Sequence, residues 1–384
     1  MLYFDHCAST PPHEDVIRTL SEVMAKHYAN PASIHRSGAE ADKLIGRARE
    51  LIGGLFAVRP GDWIFTSGGT ESNNLAIKGA ALANRERGLH LITTEVEHAS
   101  VYESFRQLEG WGYRVTYLPV DRSGRVGAQQ VERALTDETT LVSIMHVNNE
   151  TGSVQPIAEI GELLHRYPKT LFHVDGVQSI GKLPIDLNGW HIDLFSGSAH
   201  KVRGPKGIGW LYCRQGVNLT SLLSGGEQER SLRAGTPNVP GIVAAAKAMR
   251  LALEGQKERT ERMTGLRAIL LEGIRTIPEL KIVEGTEMAP HIVTFCYPGM
   301  KPEVIVHLLE KHGIIVSTKS ACSSKEDRPS RVLLAMGYDR ETAASGVRVS
   351  FGDEHTEQDV QKLVERLRMA VAKLKPLEER GRRH

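Results

Sequence analysis

The sequence predicts an α/β protein, a large unit on a mostly parallel sheet covered by helices and then a smaller C-terminal α+β unit. Three observations predict it. Between residues 62 and 214 short apolar runs alternate with helical periods, which calls for crossover connections rather than hairpins. Polar and glycine residues follow nearly every apolar run, as they do where a parallel sheet binds its ligand beyond its carboxyl ends. From residue 236 the alternation gives way to helical stretches followed by a few further strands.

Each element follows from the order of residues. "DWIFTSG" reads as a strand and leads into a helix, "TESNNLAIKGAALANRERG"; "HLITTEV" precedes the helical "SVYESFRQLEGWG". "RVTYLPV" precedes "AQQVERAL", and "TLVSIMHV" precedes "PIAEIGELLHRYP". The strands "TLFHVDGV", "DLFSGS" and "GIGWLYCR" complete the large unit. Helices are then expected across "TPNVPGIVAAAKAMRLALEGQKERTERMTGLRAILLEGIRTIP". The smaller unit takes "HIVTFCYPG", "PEVIVHLLEKHG", "IIVST", "GVRVSFG" and the helical "TEQDVQKLVERLRMAVAKL". The large domain is placed at 14–260, with 1–13 and 261–384 forming the small one.

Composition narrows the function. The 384 residues include 48 Lys plus Arg against 46 Asp plus Glu, a formal net charge of +2, which gives no basis for direct nucleic-acid binding. The N-terminus "MLYFDHCAST" has no basic segment followed by an apolar one, and no stretch reaches the roughly 18 apolar residues that cross a bilayer. A cytoplasmic protein without membrane association is expected. Cys7, Cys213, Cys296 and Cys322 are far apart and lack C-x-x-C spacing, so neither a disulfide framework nor a metal site is expected.

The polar residues after the strands share one theme. They are Gly69, Thr70 and Glu71; His98; Asn148 and Asn149; Asp175 with Gln178; and Ser198, His200 and Lys201. A strand-end lysine followed by glycines can condense with an aldehyde when its amine is partly desolvated. A lysine taken at random is a solvated surface residue, but two neighbours change the odds here. Asp175 closes an apolar strand, where a carboxylate needs a cationic partner such as a pyridinium nitrogen. Thr70 opens a helix after Gly68 and Gly69, the arrangement that holds a phosphate; as the N-cap of a capping box it would have a structural role compatible with that. Lysine, aspartate and phosphate cradle together describe a pyridoxal phosphate site.

The segments "TSGGTESNN", "TEVEHAS", "MHVNNETG", "HVDGVQS", "SGSAHKVRGPKGIG", "LRAGTPNV", "STKSACSS" and "VRVSFG" resemble, in this order, the signature segments of the cysteine desulfurases of the NifS/IscS kind. These are fold-type I pyridoxal phosphate enzymes of the class-V aminotransferase family, and the resemblance runs from "YFDHCASTPP" to "VRVSFG". It implies that Lys201 bonds covalently to the cofactor, that Asp175 pairs with its ring nitrogen, that Gln178 bonds its ring hydroxyl and that His98 stacks on the ring and serves catalysis. Gly69, Thr70, Ser198 and His200 would hold the phosphate, and Thr236 would reach the phosphate of a neighbouring subunit in a homodimer. Asn148 and Arg348 would receive the carboxylate of L-cysteine. Cys322 would take the sulfur as a persulfide, leaving L-alanine, for delivery to a protein acceptor such as an iron-sulfur scaffold or a tRNA thiolation enzyme.

The cysteines differ in setting. Cys213 and Cys296 lie in apolar strands, where a thiol is an inert small hydrophobe. Cys7, beside His6, is read as buried near the end of the first strand. Cys322 stands in a small polar run between Lys319 and Lys325, a setting that favours a thiolate nucleophile. A selenocysteine lyase, an aminotransferase of the same fold type and a non-catalytic scaffold are the alternatives, distinguished by whether alanine and persulfide form from cysteine.

Overall fold

The structure is a computed structural model that describes the backbone of residues 1–318 and 329–381, with side chains as far as residue 375. The chain opens with a short strand, β1 (Leu2–Tyr3), and two helices, α1 (Glu14–Lys26) and α2 (Arg36–Leu55). Strands and helices then alternate: β2 (Trp63–Thr66), α3 (Gly69–Ala83), β3 (His90–Thr94), α4 (Ala99–Gly110), β4 (Arg114–Leu118) and α5 (Ala128–Ala134). The series continues with β5 (Thr139–Met145), α6 (Ile157–His165), β6 (Leu171–Asp175), β7 (Leu194–Ser198), β8 (Gly209–Cys213) and α7 (Val239–Glu254).

Strands β2 to β8 form one seven-stranded sheet in the order β2-β8-β7-β6-β5-β3-β4. β7, β6, β5, β3 and β4 are mutually parallel, whereas β8 runs antiparallel to both β7 and β2. Both faces are covered, so the inner strands are buried along their whole length, which is why they read as continuous apolar runs. Alternation still sorts them. Trp63, Phe65, Ile144, Val174, Phe195, Trp210 and Tyr212 enter one core with α1, α2, α6 and α7, while Ile64, Leu141, Leu194 and Leu211 meet Leu75 of α3 and Phe105 of α4 on the other face.

The remaining chain builds a second core. It holds α8 (Gln256–Arg275), β9 (Lys281–Val283), β10 (Ile292–Cys296), α9 (Pro302–Glu310), β11 (Ile314–Ile315) and β12 (Ser317–Thr318). After the segment outside the described residues come α10 (Arg331–Ala335), α11 (Arg340–Ala344), β13 (Gly346–Ser350) and α12 (Glu357–Gly381). β12, β13, β10 and β9 make an antiparallel sheet, and β1 pairs in parallel with β11. Phe4 therefore packs with Leu266, Leu270, Phe295, Ile305, Val349, Phe351 and Leu367 rather than with the large sheet. The division expected near residue 260 falls inside α8: Thr260 Oγ1 donates to the Lys182 carbonyl at 2.7 Å, while Met263 enters the second core. Among the described residues no helix is long and apolar enough to cross a membrane.

Candidate active site

The carboxyl ends of the parallel strands open onto a cavity lined by Asp175, Lys201, His98, Gln178, Ser198 and Arg348, with further residues beside them. Asp175 is the last residue of β6 and is 5% exposed, so its carboxylate survives there through specific donors. The Val177 N–H donates to Oδ1 at 3.0 Å and Asn73 Nδ2 donates to Oδ2 at 2.8 Å. Asn73, on α3, also donates to Ser100 Oγ at 2.9 Å, and Ser100 Oγ lies 2.8 Å from His98 Nδ1. The Ser100 N–H donates to the same nitrogen at 3.2 Å, which makes His98 the N-cap of α4. Because Nδ1 accepts, the neutral ring carries its proton on Nε2. Burial lowers the His98 pKa, Asp175 opposes that, and Lys201 and Arg331 add to it.

Lys201 ends a short turn, Ala199–Lys201, directly after β7. Its Nζ donates to the carbonyl of Cys7 and, at 2.9 Å, to that of Ala8. The Cys7 carbonyl also accepts from Gln178 Nε2 at 3.1 Å. The N-terminal strap is itself fixed to the lysine's turn, since the Thr10 N–H and Oγ1 both donate to the His200 carbonyl, at 3.0 and 2.6 Å. Burial holds His200 at about 4, with Lys201 and Lys206 contributing, so its ring is neutral near pH 7. The Cys7 thiol lines the cavity, but burial pushes its pKa up against the pull of Arg348 and Lys201. Burial likewise raises Cys213 to about 11 and Cys296 to about 12; these three are free thiols held neutral.

The start of α3 supplies unpaired backbone donors, since the Ser72 N–H is the one that closes onto the Gly68 carbonyl. Gly68, at φ +155°, is the N-cap and offers no side chain, so Thr70 is the second residue of the helix instead of capping it as the sequence suggested. Glu71 makes the return contact, accepting from the Ser67 N–H at 2.7 Å while Arg233 Nε donates to it at 2.8 Å. A Cβ on Gly69 would meet Val177 Cγ2 at 2.8 Å, so the glycine keeps the floor of the cradle open. Ser198, the last residue of β7, faces it from the opposite side.

Arg348 comes from β13 in the second core and is 2% exposed. Its Nη1 donates to the Asn149 carbonyl at 2.7 Å and its Nη2 pairs with Asp5 Oδ1 at 3.0 Å. The sequence expectation fails at Asn148. Its Oδ1 accepts from the Glu150 and Thr151 N–H groups, each at 2.9 Å, and its Nδ2 donates to the Val96 carbonyl at 2.8 Å. A side chain so committed shapes the turn; Asn149, the next residue, lines the cavity. Asn73, Ser100 and the Cys7 and Ala8 carbonyls were missed as well, because no motif marks a backbone acceptor or a residue that acts through another. Thr236 is exposed on the segment leading into α7 and does not line this cavity. Cys322, Lys319 and Lys325 lie outside the described residues.

The residues present fit pyridoxal phosphate: an anion for a ring nitrogen, an amine for an aldehyde, and an open helix start with one serine and one histidine side chain for a phosphate. The class defined by fold and site is thus that of the fold-type I pyridoxal phosphate enzymes. The chain belongs to the class-V aminotransferase family, whose model matches residues 2–363. It is 43% identical over 376 residues to a putative cysteine desulfurase IscS 1 of Bacillus subtilis, covering 97% of this chain and 99% of that one. It is 41% identical over 368 residues to a cysteine desulfurase IscS of Clostridium botulinum, covering 95% and 92%. Among solved structures, a NifS-like protein superposes with a TM-score of 0.91 at 37% identity, over 97% of this chain and 99% of that one. A structure described as SspA in complex with cysteine superposes with a TM-score of 0.81 at 36% identity, over 91% and 99%.

Proposed function

We infer that this chain is a pyridoxal phosphate-dependent cysteine desulfurase, which takes sulfur from L-cysteine and leaves L-alanine. The observation that carries the reading is the convergence of Asp175, Lys201 and Arg348 on one cavity, in a chain whose relatives bear that name. When bound, the cofactor supplies an aldehyde for the substrate amine and a ring that accepts the electron pair released at the α-carbon. Asp175, held by Asn73 and the Val177 N–H, keeps a negative charge where the ring nitrogen would sit. The α3 start with Ser198 and His200 would hold the phosphate; His200, being neutral, would act as a hydrogen-bond partner rather than a counter-charge. His98 lines the cavity and would stack on the ring, offering Nε2–H to the reacting atoms.

Arg348 is the carboxylate receptor, set by Asp5 and the Asn149 carbonyl, with Asn149 beside it. Lys201 Nζ moves the α-proton, its position set by the Cys7 and Ala8 carbonyls. Cys322 Sγ attacks the substrate sulfur: an S–S bond forms as the Cβ–S bond breaks, giving a persulfide on Cys322 and alanine. We extend the reading to a homodimer in which Thr236 completes the partner's phosphate cradle, and the exposed Ile17, Met24, Tyr28 and Ile34 supply apolar surface for such an interface. The sulfur acceptor is a protein, an iron-sulfur scaffold or a tRNA thiolation enzyme. The test is mass spectrometry after one turnover with cysteine: one added sulfur on the peptide carrying Cys322, absent in Cys322→Ala, is expected. Full alanine production by Cys322→Ala, or the sulfur on Cys7, would overturn it.

A further inference from the structure

A second cavity, about 170 Å³, lies behind the Lys201 turn and is lined by His6, His13, Lys182, Arg203, Arg259 and Asp353 among others. Its walls come from both cores, since Ala248 of α7 and Phe351 after β13 also face it. Asp353 is the one carboxylate that lines it among the described residues; Arg259 Nε donates to it at 2.7 Å and Arg203 Nη1 approaches it at 3.4 Å. Three half-buried cationic side chains thus face a single lining anion, which leaves positive charge uncompensated. Lys182 Nζ has three donors and gives one of them, at 3.2 Å, to the Lys201 carbonyl.

Arg203 is the pointed observation. Its Nε is buried without a hydrogen-bond partner. A guanidinium N–H can only donate, so what is missing is an acceptor. The residue stands at φ +61°, in the left-handed region, and its backbone is locked there: its N–H donates to Thr10 Oγ1 at 3.1 Å and its carbonyl accepts from the His13 N–H at 3.0 Å. A strained backbone held by two bonds sets the direction in which the side chain leaves the turn, and Arg203 lines the cavity.

We propose that this cavity binds a small free oxyanion of the phosphate or sulfate class, held by Arg203, Lys182 and Arg259. Guanidinium and ammonium groups together suit such an ion through charge-assisted hydrogen bonds. Bound there, the ion ties the N-terminal strap, the Lys201 turn and α8 together and stabilises the folded state by mass action. The experiment titrates inorganic phosphate into the cofactor-loaded enzyme by calorimetry, so that the cradle at α3 is already filled, with ionic strength held by sodium chloride. One saturable site per chain and a Tm that rises with phosphate are expected. Arg203→Leu and Lys182→Met should each weaken it at least tenfold, whereas Arg36→Leu, on the exposed face of α2, should not. An unchanged cofactor absorbance shows that each variant is folded. Heat no larger than that of added chloride, the same affinity in Arg203→Leu, or glycerol 3-phosphate binding as tightly as phosphate would overturn the assignment.

Discussion

Two adjacent asparagines show how chemistry is divided at the scale of single residues. Asn148 is 1% exposed and its carboxamide satisfies the N–H groups of a turn, so removing it strands buried donors. Asn148→Ala should lower the stability of the fold by about 1–3 kcal/mol, read as a reduced midpoint in urea, while kcat/KM for cysteine measured well below the transition changes little. Asn149→Ala should do the reverse, leaving the midpoint in place and lowering kcat/KM by about tenfold, the worth of one good hydrogen bond. If both variants lose activity equally and stability equally, the division is wrong. Sequence alone could not make this distinction. Both residues follow the same apolar run, and which one faces the cavity is decided by the backbone turn that Asn148 itself builds. The same limit hid Asn73, whose value lies in holding Asp175 and Ser100 at once.

At the scale of elements, the strands of the large sheet were legible because burial on both faces requires continuous apolar runs between polar stops. The sheet order was not, and neither was the antiparallel insertion of β8, because pairing is a tertiary choice that no local pattern records. Helices α1 and α2 are not marked by the strand-helix alternation, since their apolar stripes, Val16 and Val23 or Ala41, Ile45, Ala48 and Ile52, pack chiefly on α7, nearly two hundred residues further along the chain. The junction of β2 with α3 is the element on which the cofactor depends most. Gly69→Ala would place a methyl group 2.8 Å from Val177 Cγ2, so that Val177 or the start of α3 must shift at the floor of the phosphate cradle. Cofactor affinity should fall by about tenfold or more, equivalent to roughly 1.4 kcal/mol, as read by dialysis against free cofactor. Retained affinity would mean that the backbone donors of α3 do not hold the phosphate.

For the whole molecule, buried histidines set the dependence of stability on pH. His173, on the central strand β6, bonds Ser143 Oγ through Nδ1 at 2.7 Å and Ser196 Oγ through Nε2 at 2.9 Å, and burial lowers it to about 3. Burial lowers His146 to about 4, and His90, His98, His291 and His355 are lowered for the same first reason. Each is a base whose folded pKa lies below its unfolded value near 6.5, so the unfolded chain takes up protons first as pH falls. Their contribution is whole above about pH 6.5 and is lost progressively as pH drops towards 4. Glu97 has the opposite sign. Buried and held by Thr94 Oγ1 and the Met145 N–H, it is raised to about 8, so its contribution is whole below its unfolded value near 4.5 and declines as pH rises through 8. Between pH 4.5 and 6.5 several histidines outweigh one carboxyl, and between 6.5 and 8 the carboxyl acts with the histidines already silent. Stability should therefore peak near pH 6.5, with urea midpoints lower at pH 5 and, by a smaller margin, at pH 8. His173→Asn, which keeps hydrogen bonds to the serines without a titrating ring, should flatten the acid side, and Glu97→Gln the alkaline side. A midpoint at pH 5 equal to that at pH 6.5 would show that the buried rings do not govern the acid limb, and an alkaline slope that survives in Glu97→Gln would remove the carboxyl from the account.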